Sequence, residues 1–455
     1  MTVNLSPSAS LALDSSTSLA AWLKHLENLH PCEIDLGLAR VRAVAQRLKL
    51  PLLFEARQQG LSKVITFSGT NGKGSTLALT ESMALAQGLT VGSYTSPHFL
   101  HFNERIKLNG QPVSDTTLTT AFLRIETARV TPAAEPISLS YFEFATLAGL
   151  LIFQDAAVDL WLLEVGLGGR LDAVNIVDAD VAVLVTVAQD HMNYLGADLN
   201  IIGQEKAGIF RKSRPVVLGS LNLPNSVYLA AEALDCQVFQ LWEAFQRTVN
   251  TEGNWAWQGI GATINLGVEE QTSVYFSDLP SNPLPPDNAA TAIQALLLVC
   301  PNLTEQAIKN GLATARLTGR MQREGQWLLD VAHNPEAASY LAARLAEQGK
   351  KKRLALVGMM ADKDIHATLL PLLPWVDAWI VTSLPLSRAA KADKLAALLE
   401  SLGAQVMVTD LNDQGDLAFS TAQQALQVDY DEVLVMGSFF TLAQVLLQLK
   451  HTAVE

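Results

Sequence analysis

The chain has 455 residues, of which 49% are hydrophobic and 17% are charged, and its formal net charge is −13. This composition excludes a disordered chain and indicates a globular protein with a large core, long enough for two or three domains. The acidic balance argues against a nucleic-acid partner, because binding nucleic acid needs clustered Lys and Arg side chains.

The first 17 residues are rich in Ser and lack the basic start and apolar centre of a signal peptide, so we predict a flexible leader. The later segment ISLSYFEFATLAGLLIF is very apolar, but Glu143 interrupts it, which favours a buried helix over a membrane span. Three cysteines, Cys32, Cys236 and Cys300, have no metal-binding spacing. We therefore expect a cytoplasmic protein with reduced thiols and no membrane partner.

The periodicity of apolar residues predicts an α/β fold. Two helical patterns, SLAAWLKHLENL and LGLARVRAVAQRLKL, precede β-like runs that alternate with helical segments: VITFSG, TVGSYTS, DLWLLEVG, VAVLVTV and PVVLGS. This alternation implies a mainly parallel sheet with helices on both faces. Residues from about 240 to 285 lose the rhythm and predict antiparallel strands, followed by the Pro-rich loop LPSNPLPPD.

From about residue 319 the alternation restarts, with WLLDVA, RLALVGMM, DAWIVTS, QVMVTD and DEVLVMGSF as the strands. About five such strands predict a smaller, independent Rossmann-like domain. We therefore expect two unequal α/β domains, 18–318 and 319–455, with a cleft between them that suits a site for two substrates.

The stretch VITFSGTNGKGST, residues 64–76, is typical of a phosphate-binding loop between a strand and a helix. Glycines let the backbone approach a polyphosphate, the helix N-terminus stabilises its charge, and Lys73 neutralises the β and γ oxygens. A Walker A loop reads GxxxxGK[ST], whereas Phe67 takes the first glycine position here and Gly74 takes the hydroxyl position. Three glycines around one lysine favour an ATP site over a glycine-rich turn with a solvated lysine.

Two oxygen-bearing residues at strand ends are candidates for a Mg²⁺ site. Ser96 follows the strand TVGSYTS at an edge where α/β folds bind ligands, although Ser-Pro alone is more often a turn. Glu164 ends the apolar run DLWLLE, an unfavourable place for a carboxylate unless it binds a cation or donors. The alternative for Glu164 is a helix cap or an ion pair with Arg170. Oxygen ligands near a phosphate loop suit Mg²⁺.

Two further residues carry weaker signals. His191 follows the strand VAVLVTV in VAQDHMNYLG, where a lone histidine is usually an ordinary loop residue. Lys206 lies in the helical segment QEKAGIFRKS, and the residues alone indicate a surface lysine.

Taken together, these stretches form an ordered set. It comprises WLKHLENLH with IDLGLARV, GTNGKGS, TSPH with NERI, SYFEF, LEVGLGGRLDAVNIV, DH, EKAGI, PDNAAT, TGR, DVAHNP and GSFFT. From about residue 18 to residue 450 the chain resembles the folylpolyglutamate synthase/dihydrofolate synthase family, within the wider Mur ligase superfamily. The Gly74-Ser75 pair after the lysine favours the folate branch over members with Thr in that position.

The resemblance implies roles for individual residues. ATP lies on Thr70, Asn71, Gly72 and Lys73, and Asn288, Arg320 and Asp330 complete the nucleotide site. Mg²⁺, expected as two ions, is held by Ser96, Glu164, His191 and a carbamylated Lys206, and K⁺ is a further candidate ion. Lys73, Lys206 and His191 are the expected catalytic residues.

The resemblance also implies where the other substrates bind. The pterin lies near Asn28, Leu29, His30, Pro31, Ser140, Tyr141, Phe142, Glu143, Leu171, Asp172 and Ala173. The incoming L-glutamate lies near His333 and Ser438 of the C-terminal glutamate-ligase domain. The segment PLSRA departs from the expected PRGA, which leaves the role of Arg388 open.

The implied reaction is ATP-dependent amide ligation. Because a carboxylate is a poor electrophile, ATP first converts it to an acyl phosphate, which the amine of L-glutamate then attacks. Domain closure would exclude water from that intermediate. The substrates are dihydropteroate and reduced folates, and a monomer is expected. LENLHPCEID, before the first strand, favours a bifunctional enzyme.

Other functions stay open on the residues. They are a monofunctional folylpolyglutamate synthase, a Mur-type ligase acting on a nucleotide-sugar precursor, and a P-loop switch or transport ATPase. NLHPCEID and TSPH disfavour the Mur-type ligase. The switch or transporter lacks support, because the Walker A hydroxyl is missing and the second α/β domain would have no role.

Overall fold

The computed structural model describes residues 13–32, 35–53, 62–132, 134–190, 196–249, 254–265, 268–408 and 416–452. Two α-helices, α1 (Leu19–Glu27) and α2 (Ala39–Arg47), precede the first strand in this part of the chain. In α1 the apolar side chains of Leu19, Trp22 and Leu26 recur at helical spacing and are buried, while the Ser18 hydroxyl accepts the N–H of Ala21 and caps the helix.

The N-terminal part of the chain is built on a mainly parallel sheet. Its described strands are β1 (Lys63–Ser68), β2 (Val91–Tyr94), β3 (Ile106–Leu108), β4 (Gln111–Pro112), β5 (Leu160–Glu164), β6 (Val181–Leu184), β7 (Pro215–Leu218) and β8 (Gln237–Gln240). Among the described residues they form one eight-stranded sheet in the order β4-β3-β2-β5-β1-β6-β7-β8. At one edge β3 pairs antiparallel with both β2 and β4, and the other pairs, from β2–β5 to β7–β8, are parallel.

Helices cover both faces of this sheet, as the alternation of segments predicts. They are α3 (Lys73–Ala86), α4 (Asp115–Arg129), α5 (Tyr141–Asp155), α6 (Leu199–Ala207), α7 (Asn225–Ala233), α8 (Pro286–Val299) and α9 (Glu305–Thr314). One core joins the sheet to α3, α8 and α9, and a second joins it to α1, α2, α4 and α5. The segment interrupted by Glu143 is α5, a buried helix, as predicted.

The antiparallel strands predicted between about 240 and 285 are β9 (Gln246–Val249), β10 (Trp255–Asn265) and β11 (Val268–Leu279). They form a separate sheet in the order β11-β10-β9. Trp257 of β10 is fully buried and donates its indole N–H to the carbonyl of Ala290 in α8 at 3.1 Å, so this sheet packs on the helix that follows it.

The C-terminal part has a sheet of its own. Its described strands are β12 (Gln322–Glu324), β13 (Trp327–Leu329), β14 (Arg353–Val357), β15 (Ala378–Val381), β16 (Val406–Val408) and β17 (Glu432–Met436), in the order β12-β13-β17-β14-β15-β16. Pairing is parallel from β13 to β16, and β12 is antiparallel. The helices are α10 (Pro335–Glu347), α11 (Ile365–Leu369), α12 (Ala392–Ser401), α13 (Asp416–Val428) and α14 (Phe439–Thr452).

The ten predicted strands are present, and four short ones, β3, β4, β8 and β12, were not predicted. The helix expected over ATLLPLLPWV is split into α11 and the 3-10 helix Leu370–Trp375, because Pro371 and Pro374 cannot continue an α-helix. Further 3-10 helices span Phe102–Arg105 and Ala173–Ile176. No helix of the described residues is both long and apolar enough to span a bilayer.

Candidate active site

The phosphate loop lies where β1 meets α3. Gly72, which precedes the helix, has φ +85°, and a Cβ there would lie 2.8 Å from Val185 Cγ1 and 3.0 Å from Asn288 Nδ2, so only glycine fits. Lys73 opens the helix and donates its ammonium to the Gly69 carbonyl at 2.8 Å. An anion at this loop would meet both the helix N-terminus and the lysine.

The loop is held by the strand end beside it. The backbone N–H of Thr70 donates to the carbonyl of Thr186 at 2.9 Å, and the Thr70 hydroxyl donates to the carbonyl of Ala188 at 3.0 Å. The N–H of Asn71 donates to the hydroxyl of Thr186 at 3.0 Å. These bonds fix the loop before any ligand arrives, which limits the ordering cost of binding.

Glu164 faces the phosphate loop from the end of β5. It is buried and accepts the Ser96 backbone N–H at 3.3 Å. A Cβ on Gly74 would lie 3.6 Å from its Oε1, an ordinary contact distance, so the usual hydroxyl position of the loop is adjacent to this carboxylate. Burial raises the pKa of Glu164, although the nearby Lys73 opposes the shift. The alternative of an ion pair with Arg170 is wrong, because Arg170 pairs with Glu205 at 2.7 Å.

Lys206 lies at the end of α6 and is 5% exposed, so the interpretation as a surface lysine is wrong. Its burial, together with the positive charge of Lys73, lowers its pKa to about 7. With Lys73 and Asp190 it lines a small cavity of about 20 Å³ beside the phosphate loop. An amine with this pKa is largely neutral above pH 7 and is able to react as a nucleophile.

His191 lies outside the described residues, but its neighbour Asp190 is described. The Asp190 carboxylate pairs with Lys363 of the C-terminal part and lies 3.6 Å from His333 Nε2. Among the described residues, no three His, Cys, Asp or Glu side chains are grouped as for a metal ion. Of the four predicted Mg²⁺ ligands, Ser96 and Lys206 are of other residue types, and His191 lies outside the described residues. Glu164 is therefore the one described His, Cys, Asp or Glu side chain among the predicted ligands.

A cavity of about 450 Å³ opens between the two parts of the chain. Lys73, Ser96 and Glu164 line one side, and His333 and Ser438 line the other. His333 Nδ1 is 2.8 Å from the Val331 carbonyl, and the Ser438 hydroxyl is 2.8 Å from that of Thr441. These two predicted glutamate-site residues therefore face the phosphate loop across the cavity.

The predicted nucleotide residues of the helices and the C-terminal part surround the loop. Asn288 Nδ2 is 3.5 Å from the Gly72 carbonyl. Asp330, which follows β13, accepts the N–H groups of Met321 and Ala332 at 3.0 and 2.9 Å. Arg320 lines the cavity. Burial lowers the pKa of its guanidinium, and the negative charges of Asp330 and Glu164 oppose this shift.

Several predicted pterin residues line the cavity: Ser140, Phe142, Glu143, Leu171, Asp172 and Ala173. Asp172 accepts the backbone N–H groups of Gly166 and Leu167 at 3.0 and 2.9 Å, and burial raises its pKa to about 6. It therefore shapes the glycine-rich loop after β5.

The segment Asn28–Pro31 and Tyr141 are not among the residues that line this cavity. The Asn28 side chain donates to the Lys24 carbonyl at the end of α1, and His30 lies 2.7 Å from Ser138 Oγ and 3.0 Å from Asp35 Oδ2. Asp35 lines the cavity, so His30 contacts a cavity residue rather than the cavity itself.

The cavity also contains residues that sequence reasoning did not assign, namely Asp190, Lys363 and Arg105. Asp190 is adjacent to His191 in VAQDHM and could have been found there. Lys363 lies in a loop after β14 whose sequence has no distinctive pattern. It comes close to Asp190 because the two sheets approach each other. Arg388, whose role was left open, lines the cavity as well.

A polar contact joins the phosphate loop to the start of α10. Asn71 Nδ2 donates to Glu336 Oε2 at 2.5 Å, and Asn334 Nδ2 donates to Asn71 Oδ1 at 2.9 Å. The loop and the C-terminal part are therefore held together beside the position expected for ATP.

Comparisons with known proteins agree with this arrangement. Residues 316–439 match the family described as Mur ligase, glutamate ligase domain. The dihydrofolate synthase/folylpolyglutamate synthase of Escherichia coli (strain K12) is 40% identical over 438 residues, covering 95% of this chain and 96% of the relative.

Two solved structures are similar over almost their whole length. Escherichia coli FolC in complex with DHPP and ADP has a TM-score of 0.84 and 38% identity, covering 97% of this chain and 99% of that one. A bifunctional folylpolyglutamate synthase/dihydrofolate synthase with Mn, AMPPNP and L-glutamate bound has a TM-score of 0.82 and 40% identity, covering 96% of this chain and 99% of that one.

Proposed function

The chain belongs to the dihydrofolate synthase/folylpolyglutamate synthase family, with the Mur ligase fold, and from this premise we propose how its residues carry out the reaction. It is an ATP-dependent ligase that adds L-glutamate to dihydropteroate and to reduced folates. The observation that carries the assignment is the cavity in which Lys73 and Glu164 face His333 and Ser438. That cavity can hold a nucleotide on one side and an amino acid on the other.

The reaction needs an activated carboxylate. Phosphoryl transfer from ATP gives an acyl phosphate and ADP, and the amine of L-glutamate then attacks the acyl carbon and releases phosphate. Lys73, with the N-terminus of α3, stabilises the charge of the transferring phosphoryl group. Asn71, Asn288, Arg320 and Asp330 position the nucleotide.

A divalent metal ion fits beside Glu164. This carboxylate is buried and accepts the Ser96 backbone N–H at 3.3 Å, so a bound cation would add to the compensating charge that Lys73 and Arg320 supply. Ser96, Glu164 and His191 would hold Mg²⁺, and carbamylated Lys206 would hold a second ion. When bound, Mg²⁺ polarises the phosphoryl oxygens. K⁺ is a further candidate activator.

The carbamate on Lys206 is supported by its surroundings. The neutral amine adds to the carbon of CO₂, an N–C bond forms, and one proton leaves, which gives a carbamate with one negative charge. The adjoining cavity of about 20 Å³ has room for a small group. A carboxylate-like group beside Lys73 would also relieve the repulsion between the two lysines.

The remaining features of the proposal concern the whole protein. Residues 18–318 form the ATP-binding domain, and residues 319–455 form the glutamate-ligase domain. The enzyme acts as a cytoplasmic monomer without a nucleic-acid partner. Size-exclusion chromatography with light scattering tests the oligomeric state, and a dimer would contradict it.

One assay tests the function. Purified protein is incubated with MgATP, labelled L-glutamate and either 7,8-dihydropteroate or tetrahydrofolate, and products are separated by chromatography. We expect dihydrofolate from the first substrate and a glutamylated folate from the second. Extension of tetrahydrofolate without formation of dihydrofolate would identify a monofunctional folylpolyglutamate synthase instead.

A further inference from the structure

Arg105 is a cation that faces the cavity without a carboxylate partner. Within the described part of the chain, no Asp or Glu oxygen is recorded within 4.0 Å of its guanidinium. Two other cations of the cavity wall are engaged: Lys363 pairs with Asp190, and Lys73 donates to the Gly69 carbonyl. Arg320 and Arg388 also line the wall; Arg320 lies near the charges of Asp330 and Glu164, and Arg388 is exposed. A partly buried guanidinium in this position is suited to an anionic ligand.

The guanidinium is held in place by its surroundings. Arg105 Nε donates to His98 Nδ1 at 2.8 Å. Its Cζ lies 5.6 Å from the ring centroid of Tyr141 and 5.7 Å from that of Phe102, both within cation–π range. None of these contacts uses a negative charge, so the terminal nitrogens keep the capacity for a bidentate bond to a carboxylate.

The backbone below Arg105 is also fixed. Arg105 ends the 3-10 helix Phe102–Arg105, and the Glu104 carboxylate accepts the N–H groups of Phe99, Leu100 and His101 at 2.7, 3.0 and 2.9 Å. The Glu104 carboxylate is therefore engaged with the backbone rather than with Arg105, and its hydrogen bonds fix the turn that carries Arg105. The cation is preorganised, and binding to it costs little side-chain entropy.

We propose that Arg105 binds the α-carboxylate of the glutamyl residue of a folate substrate and so separates the two activities of the enzyme. This inference rests on the proposed function. A folate presents its γ-carboxylate for activation and keeps a second, α-carboxylate, whereas dihydropteroate has one carboxylate in total. Arg105 shares the cavity wall with the predicted pterin residues Ser140 and Phe142, and His333 and Ser438 of the proposed glutamate site follow strands of the other sheet.

The first test is the Arg105→Gln variant of the full chain. We expect KM for tetrahydrofolate to rise about tenfold to a hundredfold, because a charge-assisted bond is lost. The kcat/KM for dihydropteroate should change by less than about threefold, and Arg105→Lys should restore part of the tetrahydrofolate affinity. Arg124→Gln, at an exposed helix position paired with Asp155, is the matched control and should leave both activities unchanged.

The second test uses a tetrahydrofolate analogue whose α-carboxylate is a carboxamide. Relative to wild-type protein with tetrahydrofolate, the affinity should fall equally when the analogue replaces tetrahydrofolate and when Arg105→Gln replaces the wild type. Arg105→Gln should bind the analogue and tetrahydrofolate with the same affinity. An equal loss with dihydropteroate and tetrahydrofolate, or discrimination by the variant as strong as that of the wild type, would overturn the proposal. Wild-type protein that forms neither product would instead contradict the proposed function.

Discussion

At the scale of single residues, Lys73 and Lys206 show how surroundings decide the chemistry of one side-chain type. Lys73 stands at a helix N-terminus with a carbonyl partner; burial lowers its pKa, and the negative charge of Glu164 opposes that shift and favours the ammonium form. Lys206 is buried beside that ammonium, and its pKa falls to about 7. The first lysine serves as a charge, whereas the second can serve as a nucleophile toward CO₂.

Replacing Lys73 tests the phosphate loop. Lys73→Met keeps the aliphatic stem and removes the charge, so we expect ligation to fall by at least about a hundredfold with little change in thermal stability. Initial-rate assays and a melting curve measure the two effects. Lys63→Met, an exposed position at the start of β1, is the control that loses the same charge and should stay active. Near-normal turnover in Lys73→Met would show that Lys73 does not belong to the ATP site.

The carbamate on Lys206 should depend on pH. With a pKa of about 7, roughly a tenth of the amine is neutral at pH 6 and roughly nine tenths at pH 8, and only the neutral form adds CO₂. At a fixed concentration of dissolved ¹³CO₂, the carbamate ¹³C signal should therefore increase from pH 6 to pH 8. It should be absent in Lys206→Met and present in Lys212→Met. No such signal at pH 8 would contradict the prediction.

Glu164 provides a test of the metal site. Glu164→Gln keeps the shape of the side chain and removes its charge, so we expect the Mg²⁺ concentration needed for half-maximal activity to rise more than about tenfold. Activity titrated against MgCl₂ at saturating ATP gives this value. Glu347→Gln, at a 61% exposed carboxylate, should reproduce the wild-type curve. The same curve for Glu164→Gln would make Glu164 a structural residue.

At the scale of elements, the helix that carries the phosphate loop depends on a close approach to α9. A Cβ on Gly311 would lie 2.5 Å from the Cα of Met83 in α3, and a backbone atom cannot move aside as a flexible side chain can. The loop is therefore positioned partly by a glycine more than 200 residues away in the chain.

Gly311→Ala should destabilise this packing. Although Ala favours a helix by about 1 kcal/mol over Gly, overpacking costs about 1–3 kcal/mol, so we expect a net loss of stability. Asn310→Ala, one residue earlier on an exposed position of α9, should change stability by less than about 0.5 kcal/mol. Denaturant unfolding followed by fluorescence measures both variants. An unchanged midpoint for Gly311→Ala would show that the two helices can separate freely.

At the scale of the whole molecule, two polar contacts among the described residues join the parts of the chain beside the phosphate loop. One links Asn71 to Asn334 and Glu336, and the other links Asp190 to Lys363 and His333. The ion pair between Lys363 and Asp190 is well shielded, with 11% and 9% of the side chains exposed. An acyl phosphate formed between the parts is protected from water as long as these contacts hold.

Breaking the ion pair should uncouple ATP use from ligation. In Lys363→Ala the cavity opens to water more often, so part of the acyl phosphate hydrolyses and the yield of ligated product per ADP falls below one. Parallel assays of ADP and of labelled product give the ratio. Lys394→Ala, an exposed lysine of α12, should keep it at one. A ratio of one in Lys363→Ala would show that this contact does not exclude water.

The sequence alone determined the fold class, the strands with long apolar runs and the phosphate loop, because these depend on local patterns of hydrophobicity and glycine. It also placed Glu164 at a strand end, since a carboxylate after four apolar residues is a local signal. The short strands β3, β4, β8 and β12 escaped prediction because polar residues interrupt them and none has a run of three apolar residues.

Only the tertiary structure decided which residues share the site. Lys206, which the local sequence indicates to be a surface lysine, is buried in the structure, and Asn28–Pro31 does not line the cavity. The tertiary structure brought Lys363 to Asp190 across 173 positions of sequence, and among the described residues it left Arg105 facing the cavity without an ion-pair partner. The physical reason is that burial and charge pairing depend on how two separate sheets pack against each other, and no local sequence pattern specifies that packing.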